Sequence, residues 1–133
     1  NLADTVGYAN PKQVKGLFAK LKDKIGNVPM AAHFHDTRGM GLANVVAALQ
    51  EGVRRFDSTM AGLGGCPFAP GASGNIATED CVYLLESLGF NTSVNVEKLL
   101  ELRRYLTDLL PNEKLEGRLG VAGTAINFKK KLL

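Results

Sequence analysis

Residues 29–59 read PMAAHFHDTRGMGLANVVAALQEGVRRFDST and hold two apolar stretches on either side of a segment with helical periodicity. The first stretch, residues 29–35, is apolar with a polar end and predicts a buried strand. Residues 41–51 predict a helix that ends at Gly52, and residues 53–59 predict a second strand. Because parallel neighbours need such a crossover, the segment indicates parallel strands in an α/β fold.

The alternation of helices and strands extends beyond this unit. An Asn-Pro pair at residues 10–11 predicts the start of a helix that ends at Gly26. Two more helices are predicted at residues 77–89, with Thr78 as a plausible cap, and at residues 95–110. The expected apolar stripes are Val14, Leu17, Phe18, Leu21 and Ile25 in the first helix and Val96, Leu99, Leu100, Leu106, Leu109 and Leu110 in the last.

The chain offers few strands for a complete parallel sheet. Residues 2–4 read as the end of a third strand, and a parallel sheet must be covered on both faces. We therefore expect the chain to be the closing part of a larger α/β protein. Residues 1–110 are expected to form its last βα units with a C-terminal helix, and residues 111–133 a weakly structured tail.

Composition narrows the class of protein. Of 133 residues, 45% are hydrophobic and 22% are charged, which suits one soluble globular unit with a core. The net charge of +3 is a weak sign of an acidic ligand, and a solvated tail at Lys129–Lys131 is the favoured explanation. The sequence has no basic stripe with interleaved aromatic residues, no apolar run of about 18 residues and no signal-peptide pattern. We therefore expect neither a nucleic acid nor a membrane as a partner.

Two cysteines do not make a disulfide framework. Cys66 and Cys81 lie in different settings and are expected to be reduced thiols in a reducing compartment. Cys81 falls at helical spacing with three leucines, which predicts a small buried apolar side chain. Cys66 lies in residues 62–75, GLGGCPFAPGASGN, whose glycines and prolines describe a loop of definite shape rather than a flexible linker.

Polar residues gather where the predicted strands end. The three strand ends read ADT at residues 3–5, HFHDT at residues 33–37 and FDST at residues 56–59. An acid and a hydroxyl also begin turns and cap helices, so one such end would carry little meaning. Ligand sites of parallel α/β folds lie at the carboxyl ends of the strands, and three similar ends favour a shared site there.

The histidine pair is the most specific of these strand ends. His33 and His35 flank Phe34 in a predicted strand, so both imidazoles are expected on one face, with Cβ atoms about 6 to 7 Å apart. Two such rings can bind one metal ion, and Mg²⁺ or Mn²⁺ becomes plausible where oxygen ligands such as Asp36 complete the shell. The alternative is a pair of histidines that are hydrogen-bonded at the end of the sheet. A closed zinc site is disfavoured because paired ligand spacing is missing.

Four segments resemble a known family. They are LADTVGY at the start, HFHDTRGMGLANVVAALQEGV, DSTMAGLGGCPFAPGASGN and ATEDCVYLLESLG. They closely resemble the carboxyl-terminal part of hydroxymethylglutaryl-CoA lyase and its bacterial relatives, as far as about residue 105. The long loop is specific to these lyases, whereas His-X-His is shared with isopropylmalate and homocitrate synthases. The resemblance implies a (β/α)8 TIM barrel in which residues 2–5, 29–35 and 53–59 belong to strands six, seven and eight.

The resemblance also implies site residues. A divalent cation, Mg²⁺ or Mn²⁺, would be held by His33, His35 and Asn75, although Asn75 could instead cap the following helix. Cys66 matches a catalytic cysteine that could donate a proton, since a thiol is mostly protonated at neutral pH. His33 matches a residue with an additional acid–base role. Further active-site acids are matched by Asp4, Glu79 and Asp80, the last two of which could equally serve the helix dipole.

The reaction that the resemblance implies is retro-Claisen cleavage of the acyl-CoA substrate 3-hydroxy-3-methylglutaryl-CoA to acetyl-CoA and acetoacetate, a step of leucine catabolism. The Arg-Asp pair that ends the family's first strand has no counterpart here, and strands one to five are missing. We therefore expect the chain to be inactive without that half of the barrel. Two alternatives are a Claisen-type synthase of the same superfamily and a non-catalytic assembly piece. Open sheet edges predict a homo-oligomer, and a bacterial cytoplasmic location is favoured over a mitochondrial one.

Overall fold

The computed structural model describes residues 1–66 and 71–128. Helices and strands alternate as the sequence predicts. The elements are β1 (Leu2–Asp4), α1 (Pro11–Ile25), β2 (Ala31–Phe34), α2 (Gly41–Gln50), β3 (Arg55–Asp57), a 3₁₀ turn (Met60–Gly62), α3 (Thr78–Ser87), α4 (Val96–Leu109) and α5 (Leu119–Ala122). Across these two ranges, no helix has the length and apolar character needed to cross a membrane.

The three strands form one parallel sheet in the order β1-β2-β3. His33 is paired in register with Ala3 on one side and with Asp57 on the other. Ala32 and Phe34 are buried against the helices, whereas His33 is only half-buried. Because side chains alternate along a strand, the helix-covered face holds the core and the opposite face carries His33.

The core lies between this sheet and the helices α1 and α2. It is built from small and medium apolar side chains, among them Val14 and Phe18 of α1 and Val45 and Ala48 of α2. Cys81 of α3 is buried in the same cluster and its thiol is free, as is that of Cys66, so the predictions of two free thiols and of a buried Cys81 are confirmed. The apolar stripe of α1 is narrower than predicted, since Leu17 is exposed.

Local sequence explains where α1 begins. The Asn10 side chain accepts from the Gln13 amide and the Gln13 side chain accepts from the Asn10 amide, which is the predicted cap extended to a capping box. The predicted cap at Thr78 is wrong. Ala77 is the N-cap of α3, and the Thr78 hydroxyl lies 2.9 Å from the Ser58 hydroxyl, so it is used to join α3 to the end of β3.

The predicted stripe of α4 also needs correction. Val96 is buried as expected, but Leu109 is 58% exposed, and Arg103 is buried on this helix. Residues 111–118 lack regular structure, and the chain then forms α5 and buries Leu119 against Val82 and Val96. Lys129–Lys131, the expected solvated cations, lie outside the described residues.

Candidate functional site

The carboxyl end of β2 brings two imidazoles together. The ring centroids of His33 and His35 lie 5.3 Å apart with the planes tilted by 43°. His33 Nδ1 lies 3.4 Å from Oδ2 of Asp57, its register partner on β3. That carboxylate favours the tautomer with the proton on Nδ1, and Nε2 of His33 is then the nitrogen free to act as a ligand or a base.

His35 is the more buried ring, at 6% exposed. Its Nδ1 atom is buried and has no hydrogen-bond partner among residues 1–66 and 71–128. Burial and the neighbouring His33 lower the pKa of His35, and the charge of Asp4 opposes this shift. The ring is therefore kept neutral, which is the state that can bind a cation.

Asn75 lies beside His35. The two residues form an isolated antiparallel bridge, and the Asn75 side chain is buried. Its Nδ2 donates to the carbonyl oxygens of Leu63 at 2.9 Å and Gly64 at 3.1 Å, while Oδ1 has no partner within the described part of the chain. Because α3 is capped by Ala77, Asn75 is not the helix cap that was the alternative interpretation.

Two imidazoles and an amide oxygen fit a divalent cation as part of a shell. His35 Nδ1 and Asn75 Oδ1 are buried polar atoms, and none of the described residues forms a hydrogen bond with either of them. Such atoms usually have a partner in native proteins. No three His, Cys, Asp or Glu side chains converge as a cation site in the described ranges, so these residues offer only part of a ligand set.

The glycine-rich loop closes on itself at a narrow neck. A Cβ atom at Gly65 would lie 2.9 Å from the carbonyl oxygen of Ala72, and one at Gly74 would overlap the carbonyl oxygen of Gly62. The two ends of the loop therefore approach too closely for larger residues. Cys66, half-buried with a free thiol, is the first residue beyond this neck.

Asp4 ends β1 and shapes the turn after it. Its Oδ1 accepts from the Tyr8 amide at 3.0 Å and its Oδ2 accepts from the Ala9 amide at 2.9 Å. Its carbonyl oxygen accepts from the His35 amide at 3.2 Å, so Asp4 is placed next to the histidine pair as the strand-end pattern predicts. Asp36 lies just beyond, where its Oδ1 accepts from the Gly41 amide and burial raises its pKa.

Glu79 and Asp80 have different surroundings. Glu79 is fully buried, with Oε1 2.9 Å from Arg103 Nε, and its Oε2 accepts from the Ala61 amide. The two Asp80 oxygens accept from the amides of Arg118 and Leu119, each at 2.7 Å. Both acids thus hold segments that border the site, and their roles in the reaction stay predictions.

Sequence reasoning did not assign roles to two residues of this region. Asp57 was noted only as part of the FDST strand end. Its pairing with His33 across the sheet makes it the carboxylate that orients the His33 ring. Arg103 is four residues after Leu99 and three before Leu106, which places it on the apolar face of α4. A charged residue in that register is the signal that would have predicted a buried ion pair.

Comparison with known proteins identifies the family of this chain. The HMGL-like family model matches residues 1–106. The chain is 48% identical over 120 residues to hydroxymethylglutaryl-CoA lyase of Bacillus subtilis, covering 87% of this chain and 40% of that protein. It is 46% identical over 122 residues to the human mitochondrial hydroxymethylglutaryl-CoA lyase, covering 92% of this chain and 37% of that protein.

Solved structures give the same result. An HMG-CoA lyase from Acinetobacter baumannii, in complex with coenzyme A and 3-methylmalate, superposes with a TM-score of 0.87 at 47% identity over 96% of this chain. The match covers 42% of that structure, so the chain spans about two fifths of the length of these relatives. The chain therefore belongs to the HMGL-like family, and its sheet and helices are part of a TIM barrel.

Proposed function

We propose that this chain supplies the cation-binding and proton-donating part of a carbon–carbon lyase that cleaves 3-hydroxy-3-methylglutaryl-CoA or a similar 3-hydroxyacyl-CoA. The observation that carries the proposal is the grouping of His33, His35 and Asn75 at one end of the sheet, with His35 Nδ1 and Asn75 Oδ1 unpartnered among the described residues. Membership of a family that includes hydroxymethylglutaryl-CoA lyases supports the same chemistry.

A polar cleft lies next to Asn75, and neither His33 nor His35 is part of its lining. It has a volume of about 270 Å³ and a mainly polar lining that includes Asp36, Asn75 and Arg118. A relative was solved in complex with coenzyme A and 3-methylmalate, which supports a coenzyme A thioester as the substrate proposed for this chain.

His33, His35 and Asn75 would hold Mg²⁺ or Mn²⁺, which would orient the substrate oxygens and stabilise the charge that develops on them. Oriented by Asp57, His33 would take the proton of the substrate hydroxyl on Nε2 when that nitrogen is not on the cation, since one lone pair serves only one of these roles at a time. As the hydroxyl loses its proton, the C–C bond breaks and its electron pair passes to the acetyl-CoA α-carbon. Cys66 then gives its thiol proton to that carbon and is left as the thiolate.

The remainder of a barrel would complete this site. A full barrel has about 250 residues, and the three described strands leave both sheet edges unpaired within residues 1–66 and 71–128. We propose that the chain is inactive alone and acts as part of a longer enzyme, the parent enzyme, whose other strands supply further cation ligands.

The test is the release of acetyl-CoA by the parent enzyme from 3-hydroxy-3-methylglutaryl-CoA in the presence of Mg²⁺ or Mn²⁺. We expect activity that is lost on chelation and that falls at least a hundredfold in Cys66→Ala, since a general acid contributes about that factor or more. Cys81→Ala is the matched control, because this thiol is buried in the core away from the loop. Full activity of Cys66→Ala, or no cleavage of any 3-hydroxyacyl-CoA, would contradict the proposal. Consumption of acetyl-CoA with a keto acid would instead identify a condensing synthase.

A further inference from the structure

Arg103 is a buried cation that the reaction described above does not use. It is 5% exposed on α4, and Nε lies 2.9 Å from Oε1 of the fully buried Glu79. Its Nη1 donates to the Thr107 hydroxyl and its Nη2 donates to the carbonyl oxygen of Glu116, both at 3.2 Å. The guanidinium thus joins α4 to α3 and to the segment before α5.

Two partners of Arg103, Glu79 and Glu116, are each hydrogen-bonded to Ala61. The Glu79 Oε2 atom accepts from the Ala61 amide at 3.1 Å, and the Glu116 amide donates to the Ala61 carbonyl oxygen at 2.8 Å. Ala61 has a φ of 57°, a left-handed conformation that non-glycine residues seldom adopt. Such a conformation persists where surrounding contacts fix it. Glu79, the ion-pair partner of Arg103, provides such a contact from one side and Glu116 from the other.

Ala61 is where the Cys66 loop begins. Leu63 and Gly64, two and three residues further on, are those whose carbonyl oxygens accept from Asn75. The backbone direction at Ala61 therefore sets where Leu63 and Gly64 meet Asn75. It also sets the position of Cys66, two residues after Gly64. None of the described contacts joins Arg103 to Cys66. Arg103 therefore affects the position of Cys66 only through Glu79 and the backbone.

A buried ion pair is a poor source of stability, since desolvation of two charges offsets much of their attraction and an apolar pair is often as stable. Its benefit here is to position a side chain. The charge contact of 2.9 Å between Arg103 Nε and Glu79 Oε1, two atoms that make no hydrogen bond among the described residues, keeps the carboxylate beside Ala61, whose amide donates to Oε2.

We propose that Arg103 is a positioning residue, which fixes the origin of the Cys66 loop at Ala61 through Glu79 and so sets the position of Cys66 and Asn75. The catalytic consequence rests on the proposed lyase function. The placement of the loop does not, and it can be measured without substrate.

The experiment compares iodoacetamide labelling of Cys66 and Cys81 by peptide mass spectrometry in the parent enzyme and its Arg103→Met variant. Buried Cys81 is an internal reference for the fold as a whole. We expect Cys66 to react roughly tenfold faster or more, because a hydrogen bond to a charged group shifts an opening equilibrium by about that factor, while Cys81 stays protected. Arg104→Met is the matched control, since the same charge is removed from the exposed neighbour on α4.

Unchanged Cys66 labelling with Cys81 protected would overturn the proposal. If Arg103→Met unfolds the protein because Glu79 is left as an uncompensated charge, the Glu79→Gln, Arg103→Met double variant decides by the same criterion. Faster labelling of both cysteines in the double variant would also overturn it, since Arg103 would then support the whole fold. If the parent enzyme is a lyase, Arg103→Met is expected to lower kcat with little change in KM, and Arg103→Lys to restore part of it. Absence of lyase activity would leave the labelling result standing.

Discussion

His33 and Asp57 are paired across neighbouring parallel strands, and their side chains approach to 3.4 Å between Nδ1 and Oδ2. The sheet register therefore fixes which nitrogen of His33 faces the site. A ligand imidazole whose second nitrogen faces a carboxylate is held in one tautomer and orientation. This relationship and three other features of the structure lead to the following predictions.

Asp57→Asn is expected to weaken Mn²⁺ binding by the parent enzyme by about ten- to a hundredfold, the usual cost of losing a carboxylate behind a histidine ligand. The fold should be unaffected, because the Asp57 side chain is 54% exposed. Isothermal titration with Mn²⁺ measures the effect. Asp23→Asn, an exposed acid on α1, is the control, and equal affinities of the two variants would show that Asp57 does not orient His33.

Substitution of Asn75 separates its two expected roles. Asn75→Asp keeps an oxygen ligand but cannot donate to the Leu63 and Gly64 carbonyl oxygens, whereas Asn75→Ala loses both functions. We expect Asn75→Asp to retain Mn²⁺ binding and to expose Cys66 to alkylation, and Asn75→Ala to lose Mn²⁺ binding as well. If Asn75→Ala binds Mn²⁺ as well as the unchanged protein, Asn75 is not a ligand.

Gly74→Ala is expected to open the neck of the loop. Gly74 has a φ of 109°, and the added Cβ would overlap the carbonyl oxygen of Gly62. Gly71→Ala is the control, because Gly71 also has a positive φ, 71°, but none of the described residues lies within 4 Å of an added Cβ. The control should lose only about 1 to 2 kcal/mol of unfolding free energy from backbone strain, and Gly74→Ala clearly more. Urea denaturation of both variants gives this comparison, and equal losses would contradict the close contact.

Cys81 makes stability depend on alkaline pH. Burial raises the pKa of its thiol from 9.0 to about 11. Between these values the unfolded state has lost the proton and the folded state keeps it, so the free energy of unfolding falls as pH rises, by up to about 3 kcal/mol. In Cys81→Ala this contribution is absent. The difference in unfolding free energy between the two proteins should therefore narrow from pH 8 to pH 11, and a constant difference would exclude the effect.

Sequence patterns predicted much of this fold because local signals and burial agree in it. Asn10 and Pro11 start α1 through contacts and backbone geometry within its first turn. The apolar side chains of β2 favour burial, which the sequence alone indicates. Thr78 has the same local signal as a cap, but its hydroxyl meets Ser58 from a distant strand end, and tertiary contact decides its partner. The buried position of Arg103 depends likewise on Glu79, which is 24 residues earlier in the chain.

The site was predictable to a similar degree. Period-two alternation placed His33 and His35 on one face, and the resemblance brought in Asn75. The contact between His33 and Asp57 follows from the register of two parallel strands, which neither sequence segment encodes by itself. For Glu79 and Asp80, the residue types alone did not reveal that their oxygens accept from the amides of Ala61, Arg118 and Leu119.

The neck between Gly65 and Ala72 separates the loop from the sheet mechanically. The backbone enters the loop at Gly65 and leaves it at Ala72, and these two residues lie close together. The distance that the loop has to bridge is therefore short whatever the length of the loop. A change in the length of the loop therefore need not displace Asn75 or the strand ends, provided that Cys66 stays directly after Gly65.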